Sequence, residues 1–269
     1  MLQQWKNICL SSLQNNNFYL FFHDIMFANI LLSGPCNARC PFCIGKLLDQ
    51  KWNVHNLDIF PLIHIDDFLQ ILIDKKITEI SLTWTNTDPL LYQHQKQLIS
   101  YIRTCIPGVK ISLHTNGRLL LQQKEIANAY DRISLSLPSF DEKTYQLMMW
   151  VPGVPDLKAI LQYIHTPIKI SCILTSENKD EVASFVQTCQ TLGIKRLTFR
   201  MVYQDRTPRE NYIHPEKLWR TFIRTFANNP VYDFKWLEIT LWNFENSDIS
   251  CVNLYSNGRI SDKYLLNQP

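Results

Sequence analysis

The sequence has no run of like charge, no low-complexity tract and no repeat period in its 269 residues. A solenoid or repeat array is thereby excluded, and so is a long solvated tail of one sign. Charged residues make up only 19% and the net charge is +3, too little to argue for a nucleic acid or a membrane surface as partner. Long apolar runs are missing too. The most apolar stretch, Phe18–Leu32, is short for a bilayer span, and His23 and Asp24 interrupt it. The start lacks the cationic segment and small-residue cleavage site of a secretory leader. The expected location is therefore the cytoplasm, where thiols stay reduced.

What is present is a globular composition, 46% hydrophobic, in a chain long enough for one large α/β domain. Met1–Leu13 reads as a short amphipathic helix. Candidate strands lie at 29–33, 79–84, 110–115, 132–137, 168–175 and 195–202, each a mostly apolar run of the kind found in parallel sheets covered on both faces. Candidate helices fall between them, at 65–75, 92–104, 122–129, 141–149, 157–164 and 179–192. "LGIK" at Leu192–Lys195 reads as a helix stop with glycine as its C-cap, and Asn178 as a helix N-cap. After Val202 the pattern changes: a helix at 215–228, a strand at 235–242, then a hairpin at 249–261 turning on Ser-Asn-Gly. No Pro/Gly/Ser-rich linker marks a boundary. The expected division is an N-terminal segment 1–27, a core 28–202, and an extension 203–269 closing one side of the same domain.

Chemistry concentrates in "CNARCPFC". Cys36, Cys40 and Cys43 follow the first strand directly, which in a parallel sheet is the end where active sites gather. Thiolates at this density suit zinc or an iron–sulfur cluster. Both usually take four protein ligands, yet Cys9, Cys105, Cys172, Cys189 and Cys251 are isolated and none completes a second CxxC. Three thiolates leave one coordination position open, as a catalytic centre requires. A zinc site completed by His55, His64 or His114, a non-catalytic metal-bound scaffold and an electron-transfer iron–sulfur protein are the alternatives. Cys172 and Cys189 read as buried spectators.

At these residues the chain resembles the radical S-adenosylmethionine (SAM) superfamily, whose signature is a CxxxCxΦC loop, Φ aromatic, after the first strand of a partial (β/α)6 barrel. "LHTNGRLL", "ISLSLPSFDEKTYQLM", "LTSEN" and "LGIKRLTFRMV" look like its third to sixth units. The nearest flavour is the molybdenum-cofactor branch that acts on GTP. The resemblance covers roughly 28–202 and implies an oxidoreductase. Cys36, Cys40 and Cys43 would hold three irons of a 4Fe–4S cluster, and SAM the fourth. Reductive cleavage would give a 5′-deoxyadenosyl radical that takes hydrogen from a substrate, expected to be a small molecule, with a ribosomal peptide as the alternative. Phe42 and Met201 would lie near the adenine and Ser136 would bond SAM. Thr115 and Asn116 would face the substrate, and Arg200 an anionic group. A flavodoxin- or ferredoxin-type reductant is implied, with Lys46, Lys51, Lys75 and Lys76 as docking candidates.

Three departures stand out. The family's Gly-Gly-Glu-Pro stretch reads "LTWTNTDPLLY", so Asp88-Pro89 stands in for the acid–proline pair and Trp84 and Asn86 become candidates for new SAM contacts. Pro138 replaces the acid that commonly follows the strand-four serine–leucine pair. Finally, Cys251 is the only cysteine after Val202, so the second cluster of the GTP-acting branch is not expected.

Overall fold

In the computed structural model, six parallel strands succeed one another with helices between them, two of these lying between the fourth and fifth strands. The strands are β1 (Ile25–Leu32), β2 (Glu79–Trp84), β3 (Lys110–Thr115), β4 (Arg132–Ser136), β5 (Ile168–Leu174) and β6 (Arg196–Met201). The α-helices between them are α1 (Ile65–Asp74), α2 (Gln95–Cys105), α3 (Lys124–Ala127), α4 (Glu142–Met149), α5 (Leu157–Tyr163) and α6 (Val182–Thr191). The structure describes residues 25–203, 207, 211–213, 221–245, 247 and 249–263. The expected helix at Met1–Leu13 lies outside these.

Each unit follows from local sequence. In α1, Ile65, Phe68, Leu69 and Leu72 recur at i, i+3, i+4 and i+7, and all four are buried. Asp66 and Asp67 sit in its first turn, where carboxylates favour the helix dipole. Asp141 and Asp156 start α4 and α5 by accepting from Thr144 N and Ala159 N. Gly193 stops α6 in the left-handed region, φ 74°. Asn178 departs from its expected role: it makes no cap bond, and instead donates to Pro138 O and Ile173 O and accepts from Thr175 N, tying the ends of β4 and β5 together. Truncating the fully buried Phe68 to alanine removes a ring from the helix–sheet core. It should cost about 3–5 kcal/mol, read as a lower denaturant midpoint with unchanged slope.

The parallel strands continue beyond six. β9 (Leu237–Trp242) pairs parallel with β6, and β10 (Ser250–Leu254) pairs parallel with β1. The tail therefore extends both edges of the barrel sheet, rather than closing one side as expected. β11 (Ile260–Ser261) returns antiparallel on β10 across the expected Ser-Asn-Gly turn. β7 (Thr221–Phe226) and β8 (Asn229–Phe234) form an antiparallel ribbon on β9. The full order is β11-β10-β1-β2-β3-β4-β5-β6-β9-β8-β7. The expected helix at 215–228 is a strand over 221–226; residues 214–220 lie outside the described set. Phe222 and Phe226 stand four apart, a spacing that helix and strand share, while Thr-Phe-Ile-Arg-Thr-Phe is rich in β-formers. No helix among the described residues is long and apolar enough to cross a membrane.

Candidate active site

The two faces of the sheet differ in kind. Ile133, Leu135, Ile170, Cys172, Leu197 and Phe199 alternate onto the face that packs in the apolar core with the helices. The other face is polar and lines the inside of the barrel. Parallel register sets its side chains in rows. His114, Ser134 and Lys169 are register partners across β3, β4 and β5. Ser136, Ser171, Thr198 and Thr240 form the next row, from β4 to β9. Ile173, Arg200 and Trp242 form the last, and the Arg200 guanidinium stacks 5.8 Å from the Trp242 ring centre and 5.4 Å from that of Phe244. Small hydroxyl residues separate these larger groups along the strands.

This lining brings Lys169, His114 and Arg200 within electrostatic reach of one another. Burial pulls the Lys169 ammonium down to about 7, and the cations Arg200, Arg196 and Arg132 push it the same way. Burial also holds His114 well below its ordinary value, with Lys169 and Arg200 adding to it. Among the described residues, Glu79 and Glu238 stand at strand starts and are engaged there: Glu79 with Arg132 at 3.1 Å, and Glu238 with Arg224 at 2.7 Å and Arg196 at 3.4 Å.

The cysteine loop sits at the opposite, carboxyl end. Cys43 N donates to Cys40 O (3.3 Å), and Arg39 N donates to Met149 O (3.0 Å). Burial raises the Cys36 thiol to about 11 and the Cys40 thiol to about 12. Cys43 adds to both shifts and Cys36 adds to that of Cys40, so the three thiols lie within electrostatic reach of one another. Such thiols ionise readily only against a metal. Among the described residues no three His, Cys, Asp or Glu side chains converge on a point fit for one metal ion. The histidines considered for a zinc site are placed elsewhere: His55 lies 3.6 Å from Asp58, His64 bonds Asp67 at 2.8 Å, and His114 packs edge-on against Trp84. Three separate thiols, with no fourth donor gathered beside them among the described residues, suit a cluster that presents one iron to each.

The stretch that replaces the glycine pair is a clamp on this loop. Thr85 N donates to Leu32 O (2.9 Å), Ser33 Oγ and Gly34 N donate to Asn86 Oδ1 (2.9 and 3.1 Å), and Thr87 Oγ1 donates to Pro35 O (2.7 Å). Gly45 lies so close that an added Cβ would stand 1.5 Å from Thr85 O, a packing open to glycine alone. Asp88 is buried and accepts from Leu90 N, Thr115 Oγ1 and Asn116 N at 2.7–3.0 Å. Asn116 Nδ2 then donates to Asn37 Oδ1 at 2.7 Å, inside the cysteine loop. Asp88→Ala would orphan two amides and a hydroxyl at about 1–3 kcal/mol each. A loss of about 3 kcal/mol or more is expected in urea unfolding.

Of the residues singled out in the sequence, Asp88, Thr115 and Asn116 come together with the cysteine loop, and Trp84 meets His114. Pro89 is buried at the start of a single 3-10 turn. Phe42 is half-buried and packs on the core. Ser136 ends β4 on the barrel-lining face. Met201 ends β6 in register with Leu174, so it alternates away from its neighbour Arg200. Lys169 and Asn37 were not anticipated. Lys169 was detectable as a lone charge within the apolar run "IKISCIL", whereas Asn37 carries no signal apart from its place between two cysteines.

Comparisons with known proteins agree with this geometry. A profile described as the Radical SAM superfamily matches residues 30–210. The chain is 24% identical over 184 residues to a GTP 3′,8-cyclase of Helicobacter pylori, covering 65% of this chain and 55% of that protein. It is 27% identical over 173 residues to a GTP 3′,8-cyclase of Syntrophomonas wolfei, covering 61% and 51%. The chain thus spans about half the length of the curated relatives it matches. Among solved structures, Streptococcus suis SuiB bound to the precursor peptide SuiA aligns with a TM-score of 0.53 at 17% identity, covering 74% of this chain and 49% of that one. The shared fold is a partial barrel of the TIM type.

Proposed function

From the chain's membership of the radical SAM superfamily, whose enzymes use a 4Fe–4S cluster and SAM, we propose that it cleaves SAM reductively and acts on an anionic small molecule held inside the barrel. The observation that carries this reading is the three-thiol loop, clamped at the carboxyl end of a barrel that gathers Lys169, Arg200 and His114 on its inner face. When bound, the cluster would supply the electron for reductive cleavage of SAM, and the cleaved SAM would supply the radical that takes hydrogen from substrate.

The chain's own residues do the rest. Cys36, Cys40 and Cys43 supply the cluster's protein ligands. Asn86, Thr87 and the Asp88–Asn116–Asn37 chain fix the loop that carries them. Phe42, Trp84, Asp88, Pro89, Ser136 and Met201 remain the proposed SAM-side residues. Thr115, Asn116 and Arg200 remain the substrate side, now joined by Lys169 and His114. An anion brought among Lys169, Arg200 and His114 relieves the repulsion these groups exert on one another. GTP, named for the relatives, is one member of that anionic class. The test is anaerobic reconstitution with iron and sulfide, then dithionite and SAM, assaying 5′-deoxyadenosine. Its formation is the expected result. An assembled cluster that binds SAM and leaves it intact, with or without candidate anions, would overturn the proposal.

A further inference from the structure

The four lysines that the sequence offered for docking a reductant do not share a face. Lys75 and Lys76 follow α1 just before β2 begins, at the end of the barrel opposite the cysteine loop. Lys51 is paired with Asp49 at 2.7 Å. Lys46 alone stays beside the loop, and it points at an unexpected neighbour: its Nζ lies 5.8 Å from the Trp150 ring centre.

Trp150 is anomalous in two ways. It is 59% exposed, and it caps α4 in the left-handed region, φ 54°. A bulky side chain rarely adopts that backbone. Nothing in the packing asks for tryptophan there. The cap bond, Trp150 N to Gln146 O at 2.9 Å, uses only backbone. Leu147, one turn earlier on the same stripe, is 57% exposed. Arg39 and Lys46 rim the patch, and neither makes an ion pair among the described residues. Glu142, on the same helix, is taken up by Gly153 N and Val154 N, with Arg118 beside it. The residue between patch and loop is Met149, whose Sδ lies 3.5 Å from Cys40 Sγ.

We propose that the exposed end of α4, Trp150 with Leu147, rimmed by Arg39 and Lys46, is the docking surface for an acidic one-electron carrier protein. The assignment rests on the reading above that the cysteines hold a reducible cluster. The step is one electron, from the reduced carrier to the cluster, with no bond or proton moved. Electron transfer weakens steeply with distance, so a carrier must dock where the surface comes nearest the cluster, and Trp150 is one residue removed from a side chain touching Cys40. An aromatic anchor with a basic rim is also how interfaces divide affinity from steering.

The test compares the reconstituted holoenzyme with its Trp150→Asn and Lys46→Glu variants. Asparagine tolerates the left-handed backbone, so the cap survives. An acidic flavodoxin is the probe. Its Kd is measured by calorimetry at low and high salt, and cluster bleaching is followed with reduced flavodoxin and, separately, with dithionite. Each variant should weaken the Kd and slow flavodoxin-driven bleaching by about tenfold, the equivalent of 1.4 kcal/mol. Salt should weaken the wild type and have less effect on Lys46→Glu. Dithionite-driven bleaching should not change. Unaltered Kd and bleaching in both variants would overturn the assignment. So would a wild-type dimer that Trp150→Asn dissociates, since the patch would then face a second copy. Variant-sensitive docking in an enzyme that never cleaves SAM under dithionite would support the surface and overturn the proposed activity instead.

Discussion

The Cys40→Ala protein should form no 5′-deoxyadenosine above background, while remaining folded. Cys40 lies centrally in the triad, and both other thiols face it closely enough to raise its pKa. Alanine removes one of the three proposed cluster ligands, and among the described residues the imidazoles considered as replacements, His55, His64 and His114, are held by other partners. The fold does not depend on the thiol. Cys40 is only partly buried at the margin of the core, with its Sγ 3.5 Å from Met149 Sδ. The loop is instead held by backbone bonds and by the Asn86, Thr87 and Asn116 side chains, all untouched. Thermal unfolding within a few degrees of wild type, together with absent product and absent charge-transfer absorbance, would locate the loss at the cluster. Cys172→Ala is the matching control. That thiol is buried, donates to Pro138 O at 3.4 Å, and is driven well above its ordinary pKa by burial. It should lose about 1 kcal/mol of stability and keep activity. Residual product in Cys40→Ala, or its loss in Cys172→Ala, would contradict the assignment of ligands.

Much of the barrel was legible because its parallel strands carry near-continuous apolar runs, and amphipathic helices such as α1 announce their buried face at i, i+3, i+4 and i+7. The cysteine loop was legible because three thiols at that spacing have few other uses. The added strands were harder to read. β8 contains Pro230, which argues against a strand except at an edge or irregularity, and β7 has all six residues exposed, so burial imposed no pattern on it. That β9 and β10 would join opposite edges could not be read from their own sequences, since pairing is decided by partners far along the chain. The clamp was hidden for a related reason. "WTNTDP" on its own shows only the loss of the family's glycines, yet its polar side chains serve the loop between β1 and the cysteines. Those partners, 52 and 53 residues away, emerge only from the fold.

The second large effect is expected at Lys169, where charge and site coincide. An ammonium held at about 7 in the folded barrel returns to about 10.4 when the chain unfolds. Between those values the unfolded state binds the proton and the folded state does not. Stability should therefore rise with pH across that window and lose this dependence below about 7, where both states are protonated. Lys169→Met keeps the bulk and removes the charge, so the slope should vanish in the variant, and the apoprotein should be more stable than wild type near pH 7. Binding should respond in the opposite sense. An anion among Lys169, Arg200 and His114 stabilises the ammonium, so occupancy takes up a proton and affinity falls as pH climbs above 7. With inorganic pyrophosphate as the probe, loss of one charge-assisted contact worth about 1.5–3 kcal/mol weakens Kd by about 10- to 150-fold in Lys169→Met and flattens its pH dependence. Calorimetry at two pH values, in two buffers of different ionisation enthalpy, reads both the affinity and the proton uptake. Equal affinity in the two proteins would remove Lys169 from the site and with it the case for an anionic substrate. A stabilised variant that no longer binds pyrophosphate would show that the barrel keeps a buried cation at a cost in stability because its ligand needs one.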